Sequence, residues 1–163
     1  MSKISNVPKK RNFLITAIRG LMEHRATWLA LILKEVGKKG IEWEEVGSPA
    51  VRACGHMHGQ DLVDLSGTSS LKGLKKKLFT KPAQMIFDMK VLKSTDNELF
   101  IDFGYCPLVA AWQKLACTDE EIATLCDIAM EGDRGIAESF GARLELGETI
   151  ANGHTCCQLR FKK

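Results

Sequence analysis

Helical spacing through the first eighty residues, two alternating segments after Pro82 and a final strand pair whose register can be read residue by residue predict an α+β fold. In this fold, N-terminal helices pack on an antiparallel sheet made of two hairpins, with two further helices between the hairpins. Residues 1–11 are expected to form a flexible N-terminal segment and 12–163 a single domain, since 163 residues can bury a sizeable core without staples.

From Asn12 to Lys38 the residues Leu14, Ile18, Leu21, Met22, Leu29, Ile32, Leu33 and Val36 recur at helical spacing, and the helix ends near Gly37 or Gly40. Glu42 to Val46 reads as a short helical turn. Ser48-Pro49 has the form of an N-cap followed by proline at the first helical position, so a helix starts there, runs through Cys54 and loosens at Gly55 or Gly59. The polar segment 59–70 reads as loop. Ser70 to Phe79 is an amphipathic helix ended by Lys81-Pro82. The period then changes: Gln84 to Lys93 sets Met85, Phe87, Met89 and Val91 against Asp88 and Lys90, and Glu98 to Phe103 sets Leu99, Ile101 and Phe103 against Asp102. Ser94 to Asn97 supplies the turn between them. Cys106-Pro107 opens a helix to about Leu115, and Thr118 to Glu121 is a capping box for the next, which ends at Gly141.

If Asn152-Gly153 is a two-residue turn, Ala151 lies opposite His154 and the pairs run back through Thr149 with Cys156, Glu148 with Cys157, Leu146 with Leu159, Glu145 with Arg160 and Leu144 with Phe161. This register gathers the leucines and Phe161 on one face and makes Glu145 and Arg160 a cross-strand ion pair on the other.

Apolar residues at 45%, charged residues at 26% and a net charge of +3 speak against disorder and against a nucleic-acid partner. The basic start lacks a clean apolar segment with a cleavage site, and the run Trp28 to Leu33 is far short of the roughly 20 residues a membrane helix needs. A cytoplasmic protein with six reduced thiols and no membrane partner is expected. No CxxC pair marks a zinc site. Cys54, His56 and His58 fall on different sides of a helix and read as a chance cluster, and Lys72, Lys75, Lys76, Lys77 and Lys81 read as a solvated face.

Five polar groups stand out. On a wheel of about 100° per residue, Arg25 falls amid Leu14, Ile18, Leu21, Trp28, Leu29, Ile32 and Val36, so it is expected to face the core and to meet an anion there. That anion is a protein carboxylate or a ligand's; alternatively, the stem lies along the apolar face while the head reaches water. Asp133 and Cys126 lie at the border of the apolar face made by Ile122, Leu125, Ala129, Ile136 and Phe140. Asp133 is thus the acid expected to be half-buried with a raised pKa, as a general base or acid requires, unless it simply pairs with Arg25. Asp127, Glu131 and Arg134 form a solvated charge set on the outer side. Cys106, at a helix N-cap before Pro107, is placed where the helix dipole favours a thiolate, although a buried or capping thiol has the same signature. Cys126 reads more simply as core. Glu148, opposite Cys157 on the core side of the last hairpin, is a second acid candidate.

The stretch CPLVAAW after Tyr105, then LCDIAMEGDRGIAESFG, LEL, TIA and the closing CQLRF, resembles the L-2-amino-thiazoline-4-carboxylic acid hydrolase family. The resemblance extends more faintly to EHRATWLALILKEVGKKG at Glu23 to Gly40 and RACG at Arg52 to Gly55. It implies opening of L-2-amino-thiazoline-4-carboxylate to N-carbamoyl-L-cysteine, a step in bacterial cysteine formation. It also implies a pocket between helices and sheet, similar to that of 4-vinyl-reductase-type ligand-binding domains. On this reading the partner is a small-molecule carboxylate, no cofactor or metal is needed, and a homo-oligomer is compatible. Asp133 would activate water or hold the amidinium, Arg25 would grip the substrate carboxylate, with Glu148 a further substrate-binding candidate, and Cys106 would be the thiol available for nucleophilic attack, with Cys126 a further catalytic candidate. The rival readings are a non-catalytic small-molecule binder and a thiolate metal site drawn from Cys106, Cys126 and Cys157.

Overall fold

The computed structural model describes residues 2–163. The first helix, α1 (Phe13–Gly37), begins where Asn12 Oδ1 accepts the Ile15 N–H at 2.8 Å, a cap of about 1 kcal/mol. Its length is as expected, but its buried side is not. Ile15, Arg19, Ala26, Ala30 and Leu33 face the interior, whereas Leu21 is 72% and Trp28 61% exposed, with Leu14, Ile32 and Arg25 also outward. The reason is close packing: Ala26 and Ala30 leave room for the next layer, and Trp112 lies against them, donating its indole N–H to the Ala26 carbonyl at 3.1 Å. A wheel weighted by large side chains points about a quarter-turn away from this small-residue side.

The region read as turn, short helix and loop is one continuous helix, α2 (Trp43–Ser66), with Pro49 inside it. Gly55 and Gly59 do not loosen it. A Cβ at Gly55 would stand 2.2 Å from the Gly132 carbonyl oxygen, and one at Gly59 would stand 2.4 Å from Ser139 Oγ. The glycines let α2 lie directly on α6 (Asp119–Ser139), whose Gly135 meets the Arg52 carbonyl in the same way. Ion pairs tie the outer edge of this seam: Glu131 takes both Arg52 and Arg134, Arg134 also takes Asp127 at 2.6 Å, and Arg52 reaches Glu138.

Ser70 caps α3 (Leu71–Lys77). The next segment departs from the expected long strand: Thr80 caps a short helix, α4 (Lys81–Ile86), with Pro82 in its first turn, and the strand starts only at Met89. Proline there opens a helix rather than closing one. Strands β1 (Met89–Ser94) and β2 (Glu98–Phe103) form the first hairpin, with a register shift between Val91 and Lys93. α5 (Pro107–Lys114) and α6 follow as expected, α6 opened by a complete capping box between Thr118 and Glu121.

Strands β3 (Arg143–Leu146) and β4 (Cys157–Lys162) complete an antiparallel sheet in the order β1-β2-β4-β3. The expected pairs Leu144 with Phe161, Glu145 with Arg160 and Leu146 with Leu159 are present. The tight turn is not: a single 3-10 turn at Ile150–Asn152, capped by Thr149, replaces it, and Gly153 closes it in the left-handed region. The expected ion pair also changes partners. Because β4 is interior to the sheet, Arg160 turns to Asp102 on β2 at 2.7 Å, and Glu145 is met by Lys162 and Arg143. The other sheet face packs Leu99, Ile101, Leu159 and Phe161 against Val109, Trp112, Ile122, Leu125 and Phe140 of the helices, forming one core.

Candidate functional site

Residues 2–11 run as an irregular strap over the start of α5. Ile4 is buried, Asp119 accepts the Ser2 hydroxyl and the Lys3 N–H, and Asn6 makes a two-point pair with the Cys106 backbone. Asn6 Nδ2 donates to the Cys106 carbonyl at 2.8 Å and Asn6 Oδ1 accepts the Cys106 N–H at 2.9 Å. The cysteine is thereby held at the N-cap of α5. No signal in the sequence joins positions a hundred residues apart.

Cys106 lies within electrostatic reach of Asp133, Cys126 and Cys157. Three of the expected site residues, Cys106, Cys126 and Asp133, therefore share one interior location between α5, α6 and the start of β4. Burial pushes the Cys106 thiol up, against a smaller opposing pull from the Leu108 and Val109 N–H groups. The expected thiolate is thus disfavoured: these amides give the sulfur no full cap hydrogen bond, and desolvation outweighs the dipole. Burial raises Cys126 further and takes Cys157 to about 12. Cys157 has a structural task, its sulfur accepting the Ile150 N–H at 3.3 Å beneath the 3-10 turn. The three are neutral thiols near pH 7. Among the described residues no group of three or more His, Cys, Asp or Glu side chains is disposed to hold a metal ion, Cys54, His56 and His58 included.

Asp133 is the distinctive group. Burial raises its pKa to about 6, with the Arg25 and then the Arg134 guanidinium pulling it down. Among the described residues it has no ion-pair or hydrogen-bond partner. Its neighbour Arg134 is occupied by Asp127 and Glu131, and Asp133 keeps partial access to water. Arg25 does not sit in the core; it is exposed on the outer side of α1, and its charge reaches Asp133 without an ion-pair contact. Glu148 does not join them. It is exposed and lies 3.7 Å from His154 Nδ1, because Gly147 and Glu148 both bond to Gln158 across the strands, a bulge that shifts Glu148 out of the expected register with Cys157.

The buried arginine of α1 is Arg19, 4% exposed. Its Nε donates to the Ile86 carbonyl at 2.7 Å, Nη1 to Lys10 at 2.6 Å and Nη2 to Met85 at 3.2 Å, while Asp88 stands 3.7 Å away and the Tyr105 ring 4.3 Å below. The signal that could have found it is its place on the wheel with Ala26 and Ala30. Two surface concavities lie elsewhere. One, of about 360 Å³, is lined by Gly37, Trp43 and Glu121; the other, of about 320 Å³, by Gly141 and Lys163. Neither reaches the interior where the resemblance places a pocket.

A model of the L-2-amino-thiazoline-4-carboxylic acid hydrolase family matches residues 19–161, and the chain belongs to that family. No curated relative matches it significantly. Among solved structures, the chain is similar to a trafficking protein particle complex subunit 3 from Naegleria fowleri covalently bound to palmitic acid, at 16% identity and a TM-score of 0.49, over 85% of this chain and 94% of that one. The likeness to 4-vinyl-reductase domains finds no support in either match. No helix is long and apolar enough to cross a membrane among the described residues.

Proposed function

We propose that this member of the L-2-amino-thiazoline-4-carboxylic acid hydrolase family opens the ring of a small cyclic amidine carboxylate, with L-2-amino-thiazoline-4-carboxylate to N-carbamoyl-L-cysteine as the reaction. The observation that carries the reading is Asp133: a half-buried carboxylate whose pKa burial raises to about 6 and that has no ion-pair or hydrogen-bond partner among the described residues. An unpaired interior acid is costly to keep, so its retention points to a ligand or a water that it serves.

The reaction adds water at ring carbon 2, which is bonded to two nitrogens and the sulfur, and breaks the carbon–sulfur bond. The water oxygen becomes the carbamoyl oxygen; one of its protons passes to the ring nitrogen and the other to the departing sulfur. Asp133 in its ionised form accepts the proton of the attacking water and returns it to the leaving thiolate. Its pKa suits both transfers, because it is neither fully ionised at pH 6 nor too weak a base at pH 7.5. Arg25, whose charge already acts on Asp133, receives the substrate carboxylate in a two-point grip. The raised thiols favour this water route over attack by Cys106. Cys106 and Cys126 then form the wall of the site, Cys106 set in place by Asn6.

The test is to mix the purified protein with the thiazoline and follow ring loss and new free thiol together. Equal amounts of each, with N-carbamoyl-L-cysteine as product by mass, are expected. No turnover at high protein concentration overturns the reaction and leaves a binding domain.

A further inference from the structure

On α1 the outward residues Leu14, Ile18, Leu21, Arg25, Trp28 and Ile32 follow one another at alternating steps of four and three. That is the spacing of a coiled-coil seam. Leu14, Leu21, Trp28 and Ile32 are each more than half exposed, and Leu31 beside them is about half exposed. The interior of the fold makes no use of this stripe, since α1 buries its small-residue side. We infer that a second copy of this chain covers it, the two α1 helices packing antiparallel about a two-fold axis.

Two observations select that occupant and that orientation. An antiparallel seam of this spacing brings Leu14 of one copy to Ile32 of the other and Ile18 to Trp28, apolar on apolar in a self-complementary contact, while Leu21 lies along the aliphatic stem of Arg25, whose guanidinium stays free for a substrate carboxylate. A parallel pair would instead set Arg25 on Arg25, in which like charges repel. The area is adequate as well. The large apolar side chains of the stripe present on the order of 500 Å², the upper range for a patch on a monomer, and with the flanking stems they approach the roughly 800 Å² per partner of a stable interface.

Sedimentation velocity of the full chain at micromolar concentration tests the inference, with twice the 18.1 kDa chain mass expected. Leu21→Glu with Trp28→Glu should weaken association by about 100-fold or more, while far-UV circular dichroism and thermal melting at low concentration stay close to wild type, because neither side chain supports the monomer's core. In a Cys54→Ser background, His24→Cys falls next to the two-fold axis and should cross-link the dimer on mild oxidation. A monomeric wild type, including one that instead binds anionic vesicles, overturns the inference, as does a dimer that survives the double substitution. A dimer without the His24→Cys cross-link overturns the antiparallel arrangement.

Discussion

The Arg19 site beneath α4 and the Asp133 site beside α5 both remove an ionisable group from bulk water. Around Arg19, three backbone carbonyls, a carboxylate and an aromatic face replace the lost hydration. Around Asp133 no donor does so, and burial moves the pKa to about 6. The first arrangement offsets desolvation locally and pins the strap and α4 to α1; the second leaves the cost in place. The Arg19 guanidinium, answered by three carbonyls, reads as architecture even though Asp88 Oδ1 beside it makes no hydrogen bond, whereas Asp133 is met by no protein group among the described residues and by water alone; the buried arginine expected on α1 stands at position 19, not 25.

The contrast can be broken most sharply at Arg19. Arg19→Met should destabilise the fold by about 3–5 kcal/mol, the cost of leaving Asp88 and three carbonyls without their partner; urea denaturation measures it, and a loss below about 1 kcal/mol would remove the architectural reading. Asp133→Asn should do the reverse. Turnover should fall about 100- to 1,000-fold while the protein becomes more stable. The folded pKa of about 6 lies above the ordinary 3.8, so the folded state holds the proton more tightly than the unfolded chain. The contribution of Asp133 to stability is therefore most favourable below pH 4, falls as pH rises toward 6, and stays at that lower level above it. The asparagine variant should gain on the order of 1–2 kcal/mol at pH 8 and nothing at pH 4. Wild-type kcat/KM should rise through about pH 6 to a plateau; a flat profile there speaks against Asp133 as the base.

Smaller effects sharpen the surroundings. Gly55→Ala places a methyl against the Gly132 carbonyl at the α2–α6 seam and should cost about 1–3 kcal/mol in thermal unfolding. Arg25→Ala should raise KM about tenfold, as expected for loss of a charged contact, with stability unchanged because the side chain is exposed. Unaltered KM would release Arg25 from the substrate. Glu148→Gln should leave both activity and stability within about 0.5 kcal/mol of wild type.

The signals that could be read along the chain were the local ones. The helical segments starting at Asn12 and Ser70, the Thr118 capping box, Pro107 opening α5, and the cross-strand pairs of Leu144, Glu145 and Leu146 with β4 depend on residues a few positions apart or on strict alternation, and the structure has them. It also has the inward placing of Asp133 on α6. The glycines of α2 were misread because a glycine that breaks a helix and one that admits a second helix have the same local signature; Gly132 and Gly135 on α6 make the difference. Arg25 and Arg19 likewise exchange roles because the side of α1 that is buried follows from Trp112 packing on Ala26 and Ala30, not from the moment of the helix itself. Secondary structure here is encoded in short-range stereochemistry and was available from residue order. Which faces meet, and so which charges are answered and which is left open at Asp133, depends on contacts tens of residues apart that cost chain entropy to form and exist only once the whole core has closed.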